Sequence, residues 1–92
     1  MANPHNHRVS HRIRVDLVEA DVDMAFSLVD DARAAYHQGN VAFACAALED
    51  ASKVMIDIEQ RLATLDARRR GPFGPLLEEL RKSLHAAQIE CA

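Results

Sequence analysis

The stretch NVAFACAALEDASKVMIDIEQRLATLDARRR, Asn40 to Arg70, decides the fold. Its apolar positions Val41, Ala44, Leu48, Ala51, Met55, Ile58, Leu62 and Leu65 recur at alternating spacings of three and four. That is the stripe of a helix burying one face. Glu49, Asp50, Lys53, Asp57, Glu59, Gln60, Arg61 and Asp66 lie between the stripe positions and keep the far side wet. No Gly or Pro interrupts the run, so one long central helix over residues 40–70 is expected, about 45 Å in length. Its end is set by Arg68, Arg69 and Arg70 over the last carbonyls, then Gly71 and Pro72.

Working outward, residues 16–38 carry a second stripe, Val18, Val22, Ala25, Val29, Ala32 and Tyr36, broadened by Met24, Phe26 and Leu28. Asp16 and Glu19 have capping-box spacing, and Gly39 supplies the left-handed residue that ends the helix. Asn40 then caps the next one. So short a connection makes the two helices antiparallel neighbours. A third helix over residues 75–90 buries Leu76, Leu77, Leu80, Leu84 and Ala87, with Ile89 near its end and Phe73 as the plug before it. Residues 1–15 read as an N-terminal tail. Val9, Ile13 and Val15 alternate there with polar residues, but a single strand finds no partner in a helical chain. The expectation is an all-α, three-helix up-down-up bundle, with one helical domain over residues 16–92.

Composition narrows the function classes. The chain has 92 residues, a net charge of −3 and only 4% aromatics. A core so rich in alanine buries modest area, so a subunit partner would help it. The mild acidity argues against a nucleic-acid surface spread over the whole chain. No run approaches the length of an apolar membrane span. The polar, histidine-bearing start is not a secretory signal. Cys45 and Cys91 read as isolated residues rather than a disulfide framework, which makes a reducing cytoplasm the default.

Residues 34–51, AAYHQGNVAFACAALEDA, resemble the hinge of a tetratricopeptide helix pair: Ala32 at the small position of the first helix, Gly39 at the turn, and Ala44, Leu48 and Ala51 on the second helix. Leu28 stands where that repeat carries Trp, and Ile56 where it carries its closing Pro. The resemblance covers residues 28–56 and implies a peptide- or protein-binding surface rather than catalysis.

Candidate chemistry is sparse. His5, His7 and His11 are imidazoles suited to a transition metal, with no fixed carboxylate or cysteine beside them. The Glu-x-x-His pair of two-metal bundles is missing, since Ala34 and Lys82 precede His37 and His85. Asp21, Asp30 and Asp31 read as solvated flanks or partners of Arg33 and Arg61, and Cys45 as a packed small residue. No cofactor is implied, and the reading is non-enzymatic. It is a protein–protein interaction or oligomerisation module, a homodimer joined through Met55, Ile58, Leu62 and Leu65 where the first helix does not reach. The alternative is a small regulator touching nucleic acid through Arg68, Arg69, Arg70 and the basic N-terminal arm.

Overall fold

The computed structural model describes residues 4–91. Helix α1 spans Pro4–His37 and α2 Val41–Leu62; a short α3, Ala67–Arg70, runs through a 3-10 turn, Gly71–Phe73, into α4, Gly74–Cys91. Among the described residues there is no strand. Three rods run up, down and up, in a body of 57 × 19 × 15 Å.

The turn between α1 and α2 follows from one glycine. Gly39 has φ +82°, and the Gly39 amide donates to the Tyr36 carbonyl (3.0 Å) while the Asn40 amide donates to the Ala35 carbonyl (2.8 Å). These two bonds form a Schellman motif, which satisfies carbonyls the ending helix would leave open. Asn40 also caps α2, its side-chain oxygen accepting from the Phe43 amide at 3.2 Å. The chain therefore reverses within three residues, and α1 and α2 lie antiparallel.

The core grades along the bundle. Near the turn Ala32, Ala35, Ala44, Ala47, Ala51 and Ala87 predominate, with Leu48 and Leu84 among them; towards the other end Met55, Ile58, Leu62, Leu65, Phe73, Leu77 and Leu80 take over. Small side chains let the rods approach closely at the Gly39 end, and large ones fill the wider space opposite. The third rod is antiparallel to α2. Arg81 meets Glu59 at 2.9 Å, Gln88 meets Ser52 at 3.1 Å, and Cys91 meets Cys45, each pair following the same register.

Several boundaries differ from the sequence reading. The first helix begins at Pro4, not Asp16, so residues 4–15 are helical rather than an extended tail, and Asp16 is an exposed mid-helix residue, not a cap. The reason is that Val15 packs on the core and continues the Val18–Val22 stripe one turn further back. The central helix stops at Leu62 instead of Arg70. Thr64 bonds back to the Arg61 carbonyl (2.7 Å), Leu65 turns into the core, and Asp66 restarts a helix by accepting from the Arg69 amide at 2.9 Å. Gly71 and Gly74 then keep right-handed helical angles, and the winding tightens to 3-10 where Pro72 and Pro75 remove amide donors. The longest helix is thus α1, not the central one. Tyr36, Val41, Leu76 and Ile89, expected on buried stripes, are exposed, and Ala35 is buried in place of Tyr36.

Two stability outcomes follow. Leu80 is fully buried, so Leu80→Ala should cost about 2–5 kcal/mol in urea unfolding. Gly39→Ala meets no atom within 4 Å of the added Cβ; its cost is the left-handed backbone alone, about 1–2 kcal/mol in the same measurement.

Candidate interaction surface

The four residues expected to join two subunits are already used within the chain. Met55, Ile58, Leu62 and Leu65 are all buried, Ile58 completely. They are covered within one core cluster by Val18, Val22 and Ala25 of α1, with Val15 from its unexpected extension packed alongside, and by Phe73, Leu77 and Leu80 from the third rod. They form the centre of the core and present no surface.

A different apolar face remains open. On α1, Leu17 is 40% and Met24 52% exposed, with Leu28 partly buried below them. At 100° per residue these positions lie roughly a third of a turn from the Val18–Val22–Val29 stripe. On α2 the matching flank carries Phe43, 53% exposed, and the partly buried Val54. The third rod lies on the other flank, which α2 offers it through Cys45, Ser52 and Glu59. One ion pair crosses the open side, Arg61 Nε to Asp21 Oδ2 at 3.1 Å; of the carboxylates the sequence left as solvated flanks or partners of Arg33 and Arg61, Asp21 is the one so paired. Asp31 and Asp50 are exposed charges near the Gly39 end of this face. The signal in the sequence was a second three-and-four series, Leu17, Ala20, Met24 and Leu28, rather more than a third of a turn from the stronger stripe.

Between α2 and α4 lies a separate open groove of about 440 Å³, lined by Leu48, Glu49, Ser52, Lys53, Ile56 and Gln88 beside the two cysteines. Cys45 and Cys91 are joined as a disulfide with their Cα atoms 6.1 Å apart. The sequence reading kept them apart because 46 residues separate them; the antiparallel return of the third rod brings its last turn to the first turns of α2. The bond leaves Cys45 with no nucleophilic thiol. It also removes cysteine usage as a ground for a reducing cytoplasm, since such bonds persist in oxidising compartments.

The remaining candidates assemble no site. Among the described residues no group of three His, Cys, Asp or Glu side chains is placed to hold a metal. The side chains of His5, His7 and His11 lie outside the described residues. Arg69 is engaged by Asp66 at 2.9 Å, while Arg68 and Arg70 point to solvent on a four-residue helix. Among the described residues no helix is long and apolar enough to cross a membrane.

The disulfide should matter chiefly to stability. Closing a loop of this length restricts the unfolded chain by at most about 4 kcal/mol. Reduction with a phosphine should lower unfolding free energy by about 2–4 kcal/mol, and a Cys45→Ser, Cys91→Ser protein should melt with the reduced one. Searches of family models, curated proteins and solved structures found no match to this chain.

Proposed function

We propose that this protein is a non-enzymatic interaction and oligomerisation module that works through the open α1–α2 face. The observation carrying this reading is the apolar set Leu17, Met24 and Phe43, each at least 40% exposed on one side of a hairpin whose other side is already covered. In a chain of this size such side chains lie most favourably against another protein, because transferring them from water offsets the small core. The resemblance of the hairpin to a tetratricopeptide pair points towards the same use. A homodimer is the simplest form of it, with this face replacing the one anticipated around Ile58. Contact with nucleic acid has less behind it: Arg69 is engaged by Asp66, and the chain carries a net charge of −3.

Sedimentation equilibrium over a wide concentration range tests the reading. The expected mass rises from 10.2 kDa for one chain towards twice that value as concentration increases. Leu17→Lys combined with Met24→Lys should hold the mass at one chain while circular dichroism shows the same helix content. A wild-type mass that never departs from one chain, or a double variant that associates like the wild type, would overturn the oligomerisation reading.

A further inference from the structure

The third rod is held unequally along its length. At the wide end Phe73, Leu77 and Leu80 are buried, and Arg81 pairs with Glu59 at 2.9 Å. Beyond Leu84 the one buried side chain of α4 is Ala87; Ala86 and Cys91 are partly buried, and His85, Gln88, Ile89 and Glu90 are exposed. Residues 85–91 therefore rest on the hairpin chiefly through one buried methyl group, the exposed Gln88–Ser52 hydrogen bond at 3.1 Å and the Cys45–Cys91 bond. A methyl group and an exposed hydrogen bond do not offset the conformational entropy lost in ordering these residues. Without the covalent link, this part of the third rod opens first.

What lies beneath those turns favours opening as well. Arg33 of α1 and Ala44 and Leu48 of α2 face Ala87, Glu90 and Cys91 of α4 across a narrow space. Arg33 Nε is buried and has no hydrogen-bond partner among the described residues, and Glu90 forms no ion pair with it. A buried N–H without an acceptor costs its desolvation, and that cost disappears when water reaches it. On the other side of the last turns, the open groove between α2 and α4 is lined by both cysteines. Neither cysteine is fully buried, so a thiolate reaches the bond along that groove.

We infer that the Cys45–Cys91 bond is an exchange site for a dithiol, and that its reduction releases residues 85–91 from the α1–α2 hairpin while the rest of the bundle stays folded. One thiolate of the dithiol attacks a sulfur of the bond, and the other cysteine leaves as a thiolate and takes up a proton. The second thiolate of the dithiol then closes a disulfide on the first, and the remaining cysteine is released and protonated. The protein gains two thiols, and the dithiol is oxidised by the same two electrons. Release uncovers Ala44 and Leu48 and lets water reach Arg33 Nε, so the protein presents different surfaces in oxidising and reducing surroundings. This clasp lies on the flank away from the open α1–α2 face, and its test does not depend on that face being an interface.

Backbone order measured by NMR relaxation tests the clasp. Four proteins are compared: the oxidised wild type, the wild type reduced by dithiothreitol without denaturant, Cys45→Ser with Cys91→Ser, and reduced Arg33→Met. In the oxidised chain the order parameters of residues 86–91 should match those of rigid helix, about 0.85. Reduction, or the paired serine substitution, should drop them below about 0.6 with loss of their helical shifts, while Leu77 to Arg81 keep the oxidised values. Arg33→Met removes the unsatisfied donor and keeps an unbranched side chain, so its reduced form should regain order in the same residues. The clasp is overturned by a bond that dithiothreitol opens only in denaturant, or by residues 86–91 that stay ordered once reduced. It is equally overturned if reduction collapses the dispersion of the whole spectrum, or if reduced Arg33→Met frays as fully as the reduced wild type.

Discussion

The structure depends on how closely two helices can lie after a three-residue reversal. Gly39 takes the left-handed conformation that lets the Asn40 amide reach back to the Ala35 carbonyl, and the antiparallel start it imposes limits the seam between α1 and α2 to small side chains, while buried Leu48 lies towards the third rod. Ala32, Ala35, Ala44 and Ala47 meet that limit. The limit relaxes with distance from the turn, and the core changes accordingly to Met55, Ile58 and Leu62. The third rod reads the same gradient, with Ala87 opposite the alanines and Phe73, Leu77 and Leu80 opposite the large residues. One backbone angle thus sets where small and large residues are tolerated along the whole bundle.

A bundle graded in this way is weakest where it is narrowest. Alanine burial contributes little per residue, and the last turn of α4 lies against this alanine-rich end. The Cys45–Cys91 bond fastens that turn to the start of α2. At the opposite end the larger side chains hold the rods without a covalent link. The bond's position therefore follows the distribution of apolar area, and a link at the wide end would duplicate what Ile58 and Leu80 already do.

Much of this was legible in the sequence, and the misses have particular causes. The stripes Val18–Val22–Val29 and Ala44–Leu48–Met55, the reversal at Gly39 and the cap at Asn40 follow from period and from the conformational preferences of glycine and asparagine. The break after Leu62 was hidden because Leu65 keeps the helical spacing even though the backbone leaves the helix there. Its signals were Thr64, whose hydroxyl competes for a backbone carbonyl, and Asp66, a cap residue three positions before Arg69. The start at Pro4 was missed for a related reason. A proline directly after Asn3 has the order of a helix start, but the alternating valines further on suggested an extended chain. The disulfide had no signal in spacing alone, since only the antiparallel third rod brings residues so distant in sequence together. The open face was partly visible as Met24 and Leu28 beside the first stripe, yet Leu17 and Phe43 acquire meaning only once the third rod is known to occupy the other flank.

The same gradient explains why the open flank differs along its length. Near the turn the seam between α1 and α2 is so tight that Ala35 and Ala47 are buried without any third rod above them. Further along, where the helices are held apart by larger residues, a side chain must be bigger to cover the seam, and Leu28 and Val54 only partly do so. Met24 and Leu17 stand where coverage from within the chain has run out, close to the Asp21–Arg61 pair. Apolar area therefore stays exposed at the point where the hairpin's own geometry stops supplying small enough gaps. Adding bulk at Ala20, by contrast, would leave the fold undisturbed, because that side chain is exposed and belongs to neither rod's internal contact.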